Sequence, residues 1–154
     1  MSYNHHNNYI MKCHVLFTFT VAFTARMKPF TGVIVGTGSH DPWVFDVVDT
    51  NVGNAYDIRG VFTAPVAGVY VFNFNFISHW DERTMHAKLV KNGETIAVGI
   101  ANSKGFYDNG GAMVTVQLEK GDEVYVTRGD LGNRILGDWW CKFSGFRLSD
   151  GAGT

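Results

Sequence analysis

The chain has 154 residues, of which 45% are hydrophobic, 14% aromatic and 18% charged, and its formal net charge is -1. This composition excludes an intrinsically disordered chain, which has few apolar and many charged residues. The length fits one domain with a hydrophobic core of its own. The lysines and arginines are scattered along the sequence, so we expect no nucleic-acid partner and no basic membrane-binding surface.

The segment 11–25 has two interpretations. A lysine, an apolar run and small residues follow one another, as in a secretory signal peptide. One face of an extended segment would carry five apolar residues: Phe17, Phe19, Val21, Phe23 and Ala25. Threonines and an alanine stand between them, and a signal peptide gains nothing from such alternation. We therefore predict that the segment is the first strand of the domain.

The two ends of the chain are polar. We expect residues 1–14 to form an N-terminal tail, residues 15–150 the globular domain and residues 151–154 a short C-terminal tail. No run approaches the roughly 18 consecutive apolar residues of a membrane helix, so no membrane span is predicted.

Short strands and glycine turns fill the domain. No long window has the apolar spacing of an amphipathic helix, and 18 glycines interrupt the chain. We predict ten strands, at residues 15–25, 29–35, 43–48, 58–63, 67–77, 84–91, 95–101, 111–119, 122–128 and 141–149. Asn92-Gly93 and Lys120-Gly121-Asp122 have the composition of tight hairpin turns. This pattern predicts an all-β, two-sheet jelly-roll sandwich.

Eight residues stand at characteristic intervals through the centre of the chain: Phe45, Asn51, Tyr56, Phe62, Gly68, Tyr70, Phe72 and Phe74. Together with the segments 21–25, 92–94, 118–124 and 143–148, they resemble the C1q-type globular domain. That domain is related in fold to the tumour necrosis factor family. The resemblance covers most of the chain, about residues 21–149, and several matches in the right order make it specific.

The resemblance implies a ten-stranded jelly roll, a homotrimer, and an extracellular binding protein rather than an enzyme. We expect a pattern-recognition protein of innate immunity that binds microbial glycans or lipopolysaccharide. The alternative is a trimeric signalling ligand for a cell-surface protein receptor. No collagen-like Gly-X-Y repeat precedes the domain, which resembles the head-only C1q-domain proteins of invertebrates. One residue fewer than in the family pattern separates Tyr56 from Phe62, and we interpret this as a loop deletion.

The aromatic residues of the strands have two interpretations. They fill the core of one chain, or they form a flat apolar surface that three protomers bury together, as the resemblance implies. Both remain open for seven residues: Phe17, Phe23, Tyr70, Phe72, Phe74, Phe143 and Phe146.

Three predicted loops, 78–84, 101–110 and 129–140, are each separated by two strands, so antiparallel pairing should bring them to one end of the sandwich. Their aromatic, amide, carboxylate and guanidinium groups suit a polar ligand such as a sugar. The candidate ligand-binding residues are His79, Trp80, Arg83, Tyr107, Asp108, Asn109, Asn133, Arg134, Asp138 and Trp139. An ordinary polar loop end is the alternative, because glycine and aspartate are common in turns.

The pair Trp139-Trp140 is unusual. Adjacent residues on a strand point in opposite directions, so at most one of the two indoles can fill the core. We expect the other to contact a ligand or a neighbouring subunit. Partial burial under a loop is the alternative.

Metal binding has little support in the sequence. Some C1q-type domains bind calcium through the loop that resembles residues 105–110, where Asp108 takes the place of a family acid. A second expected acid is absent at residues 100–102, so we expect at most a weak calcium site and no required cofactor. His79 and His86 lack the spacing and the cysteine neighbours of a zinc site.

Neither catalysis nor a disulfide scaffold is predicted. The motifs of a nucleophile elbow, a phosphate loop and a dinucleotide fold are absent. The acid pair Asp81-Glu82 is adjacent in sequence rather than placed across a substrate. Cys13 and Cys141 are too few for a disulfide framework, and we favour two separate thiols while leaving their pairing open.

Overall fold

The structure is a computed structural model that describes residues 19–29, 33–35, 38 and 40–151. Its described strands are β1 (Ala22–Arg26), β2 (Val33–Ile34), β3 (Val47–Val52), β4 (Val61–Thr63), β5 (Gly68–Ser78), β6 (Met85–Lys91), β7 (Glu94–Ala101), β8 (Asp108–Leu118), β9 (Glu123–Arg128), β10 (Arg134–Ile135) and β11 (Lys142–Ser149). One short 3-10 helix, Asp138–Trp140, precedes β11. The predicted N-terminal tail, and all but Gly151 of the predicted C-terminal tail, lie outside the described residues.

The strands form two sheets. The seven-stranded sheet has the order β2-β10-β5-β11-β1-β3, and β8 pairs along the whole length of β5. The four-stranded sheet has the order β4-β9-β6-β7. Neighbouring strands pair antiparallel in both sheets. This arrangement confirms the predicted all-β, two-sheet jelly-roll sandwich.

The core between the sheets is aromatic. Strand β5 turns Tyr70, Phe72, Phe74 and Phe76 inward, and all four rings are fully buried. Phe23 of β1 joins them, with its ring centroid 6.3 Å from that of Phe72. Each ring stabilises the fold by about 2–3 kcal/mol through the apolar area that it removes from water. The period of two in β5 therefore places one whole face of the strand in the core.

Most of the aromatic residues with two predicted roles belong to the core of a single chain. Five are fully buried there: Phe23, Tyr70, Phe72, Phe74 and Phe143. Of their two interpretations, the core is the one that holds, because one chain already covers these rings. Phe146 differs, since it stands three residues after Phe143, points to the opposite face of β11 and is 46% exposed. Phe17 lies outside the described residues.

Three predicted elements differ from the structure. Of the strand predicted at 29–35, the described residues contain only β2. Of the strand predicted at 43–48, only residues 47 and 48 belong to a strand, β3. Residues 43–46 form no strand, and the Trp43 N–H donates to the Val126 carbonyl oxygen of β9 at 2.7 Å. The predicted loop 129–140 contains β10 and the 3-10 helix. These short elements depend on long-range contacts, which local sequence patterns do not encode.

Cys141 is a free thiol in the interior of the sandwich. Its Sγ–H group donates to the Leu136 carbonyl oxygen at 2.5 Å, and burial raises the pKa of the thiol to about 12. Cys13 lies outside the described residues, so the expectation of two separate thiols stays a prediction.

Candidate functional site

Three loops meet at one end of the sandwich, as the sequence predicted. This three-loop end consists of residues 79–84 after β5, 102–107 after β7 and 129–133 after β9. The first two loops are joined by the Ser103 hydroxyl, which donates to the His79 carbonyl oxygen at 3.3 Å. They are joined again by the Thr84 hydroxyl, which donates to Asn102 Oδ1 at 2.8 Å.

Asp81 connects the first loop to β10. Its carboxylate contacts Nδ1 of His79 and the guanidinium group of Arg134. The hydrogen bond from His79, together with the positive charges of His79 and Arg134, holds the pKa of the Asp81 carboxyl below its ordinary value. The Asn133 N–H donates to Glu82 Oε1 at 3.1 Å and fixes the third loop to the first. His79, Asn133 and Arg134 therefore hold the loops in place.

Asp108 closes the loop between β7 and β8. Its Oδ2 accepts the Asn102 N–H at 2.7 Å, and its Oδ1 accepts the Asn109 N–H at 3.0 Å. Both carboxylate oxygens are thus engaged by the backbone. No cluster of three or more histidine, cysteine, aspartate or glutamate side chains suitable for a metal is found within the described ranges. Calcium takes six to eight oxygen ligands, of which Asp108 would supply at most two, so the weak calcium site expected at Asp108 stays a prediction.

A polar cleft of about 730 Å³ opens at the three-loop end. Its lining residues are Trp80, Asp81, Glu82, Arg83, Thr84, Asn102, Lys104 and Gly105. The Trp80 indole is 51% exposed and lies next to the buried His79 ring, with 5.5 Å between the ring centroids. The cleft combines one open aromatic face with amide, hydroxyl and charged groups. This combination suits a polar ligand with an apolar patch.

A second, apolar cleft of about 600 Å³ lies beside the 3-10 helix. Its lining residues are Pro29, Ile77, Tyr107, Leu136, Gly137, Asp138 and Trp140. Two of the predicted ligand-binding residues, Tyr107 and Asp138, therefore lie in a different cleft from Trp80 and Arg83. The sequence predicted one site, but the structure separates its residues: some line one of the two clefts, some hold the loops in place, and Trp139 lines neither cleft.

Trp139 and Trp140 lie on the 3-10 helix and not on a strand, and neither of them fills the core. They are 58% and 59% exposed. The Arg26 guanidinium carbon lies 4.0 Å from the centre of the Trp139 ring. Arg26 also pairs with Asp138 at 3.3 Å and with Asp49 at 3.1 Å. Trp139 thus belongs to a cluster on the seven-stranded sheet, outside the polar cleft.

The lining residues of the polar cleft that the sequence reasoning missed include Glu82, Asn102 and Lys104. Asn102 and Lys104 lie within the predicted loop 101–110, but neither stands out by residue type. Lys104-Gly105 is a turn sequence in which both residues have positive φ, 43° and 90°. That dipeptide is the signal that could have placed Lys104 at the tip of its loop.

The sequence model of the C1q domain matches residues 18–148 of the chain. The chain belongs to the C1q-domain family. This C1q domain is 36% identical over 109 residues to "Complement C1q tumor necrosis factor-related protein 3" of Mus musculus and of Homo sapiens. The match covers 68% of this chain and 44% of each relative, so the chain spans less than half the length of the curated relatives it matches.

Solved structures show the same fold. The globular domain of zebrafish complement 1qA protein has a TM-score of 0.67 and 21% identity, over 83% of this chain and 97% of that one. Eiger TNF from S. frugiperda has a TM-score of 0.70 and 13% identity, over 88% and 97%. At these identities the likeness concerns the fold alone. Among the residues that this C1q domain's structure describes, no helix is long and apolar enough to cross a membrane.

Proposed function

We propose that this C1q domain is an extracellular, non-enzymatic recognition protein that binds microbial glycans or lipopolysaccharide at its polar cleft. The observation that carries the proposal is the half-exposed Trp80 indole at a cleft with amide, hydroxyl and charged groups. A sugar ring offers an apolar C–H patch to an indole face, and its hydroxyl groups bond to the polar side chains.

The loop that carries Trp80 is held in place by contacts of its neighbouring residues, which favours binding. Its neighbours in sequence, His79 and Asp81, are fixed by their mutual contact and by Arg134. Ser103, which is buried, ties the opposite loop to the same turn. A cleft that is ordered before the ligand arrives loses less conformational entropy on binding.

The homotrimer is part of the proposal, and the outer face of the seven-stranded sheet supports it. Val52, Ala22, Phe146 and Val71 are register partners on four successive strands. They form an apolar row, and Phe146 and Val52 are both close to half exposed. An apolar surface of this kind is typical of a subunit interface.

The test is a binding screen against a glycan array and lipopolysaccharide with the wild-type chain and Trp80→Ala. We expect the variant to lose about tenfold in affinity for the ligands that the wild type binds. Trp139→Ala is the matched control, because its indole is similarly exposed but lies outside the polar cleft. EDTA should leave binding unchanged, since the Asp108 carboxylate already serves the backbone. Equal binding by the wild type and both variants would remove the polar cleft from the proposal.

A trimeric signalling ligand for a cell-surface receptor is the second candidate. One observation favours it: Ile58 is 90% exposed at the tip of the loop between β3 and β4, away from the polar cleft. The named relatives are also tumor necrosis factor-related proteins. Saturable binding to cells would favour this candidate over glycan recognition if free sugars do not compete with that binding and Ile58→Glu abolishes it.

A further inference from the structure

Two cations at the polar cleft have no acidic partner among the described residues. Arg83 and Lys104 line the cleft, and neither takes part in a salt bridge with any described residue. The third cation nearby, Arg134, is engaged by Asp81. Glu82, the other acid in the cleft, accepts the backbone N–H of Asn133. The side chains of Arg83 and Lys104 are therefore available to a ligand.

Most other cations of the described surface are neutralised. The ion pairs away from the cleft among the described residues are Arg26–Asp49, Arg26–Asp138, Lys28–Asp46, Arg59–Asp57, Arg59–Glu123, Lys88–Asp130, Lys91–Asp122 and Arg147–Asp150. At the cleft, two cations (Arg83 and Lys104) and two carboxylates (Asp81 and Glu82) line the opening. Asp81 is already paired with Arg134, and Glu82 accepts a backbone N–H, so the cleft presents two cations that no carboxylate of the described residues neutralises.

The loop that carries Lys104 is ordered by its own contacts. The Phe106 N–H donates to the Ser103 carbonyl oxygen at 2.7 Å and closes the turn around Lys104. The Ser103 side chain is buried and contacts the carbonyl oxygens of His79 and Glu82. This turn holds the backbone of Lys104 opposite the loop that carries Trp80 and Arg83, so the two charges and the indole border one opening.

We infer that the polar cleft selects anionic saccharides, in which a carboxylate, sulfate or phosphate group is attached to the sugar. The Trp80 indole stacks on the sugar ring, while Arg83 and Lys104 pair with the anionic group. Guanidinium and ammonium groups form short charge-assisted hydrogen bonds with these oxyanions. The inference rests on the proposed glycan-binding function and names the class of glycan.

The experiment compares four immobilised polymers at physiological ionic strength: dextran, carboxymethyl dextran, dextran sulfate and poly-glutamate. The first three share one sugar backbone and differ in charge, and the fourth carries carboxylates without a sugar. We expect the wild type to bind an anionic dextran at least about tenfold more tightly than dextran or poly-glutamate. The carboxymethyl and sulfate polymers distinguish the two kinds of anion.

Charge-removing variants locate the interaction. We expect Arg83→Gln and Lys104→Gln each to weaken binding to the anionic dextrans by about three- to tenfold. Lys120→Gln and Arg59→Gln remove the same charges elsewhere on the surface and should change binding by less than about twofold. Exposed side chains of this kind tolerate substitution, so thermal denaturation should show that all four variants fold.

The results separate the inference from the proposed function. If dextran or another neutral glycan binds as tightly as the anionic polymers, and Arg83→Gln and Lys104→Gln have no effect, the inference is wrong while glycan recognition stands. If poly-glutamate binds as well as the anionic dextrans, the sugar ring is not recognised and the inference is also wrong. If neither the polymers nor the glycan array binds the wild type, the proposed function itself is overturned.

Discussion

Tyr56 closes its loop onto Phe45 through two hydrogen bonds of its hydroxyl group. The hydroxyl donates to the Phe45 carbonyl oxygen at 3.1 Å and accepts the Phe45 N–H at 3.3 Å, and both residues are buried. From the other side, the Asn51 amide donates to the Tyr56 carbonyl oxygen at 2.8 Å. Three residues of the C1q signature, Phe45, Asn51 and Tyr56, are therefore one hydrogen-bonded unit that fixes the chain between β3 and β4.

Replacing Tyr56 by Phe should destabilise the domain by about 1–3 kcal/mol, because the backbone groups of Phe45 lose their buried partner. Chemical denaturation, compared with the wild type, measures the change. Tyr125→Phe is the matched control, since Tyr125 is only partly buried on β9, and it should cost less than about 0.5 kcal/mol. Equal stability of Tyr56→Phe and the wild type would show that water replaces the lost partner.

Two glycines with the same backbone conformation separate the cost of strain from that of a clash. Gly60 and Gly93 have φ values of 85° and 89°. A Cβ on Gly60 would lie 2.2 Å from the Trp43 carbonyl oxygen, while a Cβ on Gly93 would have no described residue within 4 Å apart from its two chain neighbours. We expect Gly93→Ala to cost about 1–2 kcal/mol from its left-handed conformation alone. Gly60→Ala should lower the free energy of unfolding by about 1–3 kcal/mol more, because the backbone at Trp43 must shift. Thermal denaturation of both variants measures the difference, and equal losses would contradict the close approach.

The sequence predicted those features that depend on neighbouring residues along the chain. The alternation of Tyr70, Phe72 and Phe74 needs only the period of a strand, and it correctly placed these rings on one face. The 3-10 helix could not be found in this way. Asp138 adopts a positive φ of 63°, and its N–H donates to the carbonyl oxygen of Lys28, more than a hundred residues away in sequence.

The division of the candidate site into two clefts was also hidden from the sequence. The spacing of the strands was enough to predict that the three loops meet at one end. Which side chains face a ligand depends on partners from distant segments, such as Arg134 for Asp81 and Arg26 for Asp138. A polar side chain looks the same in sequence whether it supports a loop or faces solvent.

The Asp81 network gives an acid-dependent contribution to stability. The folded pKa of Asp81 lies below its ordinary value because of the hydrogen bond and charge of His79 and the charge of Arg134. Its contribution is therefore present above the ordinary pKa of about 3.9 and is lost as the pH falls through the lower folded pKa. His79→Phe keeps a ring at this position but removes the hydrogen bond, and it should raise the pKa of Asp81.

Carboxyl carbon NMR through an acid titration measures this pKa directly. Asp122 is the internal control, since its pKa is lowered by hydrogen bonds from Asn92, the Glu119 N–H and Lys91, none of which the variant touches. The titration midpoint of Asp122 should stay unchanged while that of Asp81 rises. An unchanged midpoint for Asp81 in His79→Phe would show that Arg134 alone keeps the carboxylate ionised.

Phe146 should decide the oligomeric state, because it stands at the centre of the apolar row on the outer face of the seven-stranded sheet. We expect the wild type to scatter light as a trimer at micromolar concentration and Phe146→Glu as a monomer, since a buried, unpaired carboxylate opposes association. Val98→Glu is the matched control: Val98 is equally exposed at 46% but lies on β7 of the other sheet, and its variant should remain trimeric. A monomeric wild type, or a trimeric Phe146→Glu, would mean that this face is not the subunit interface.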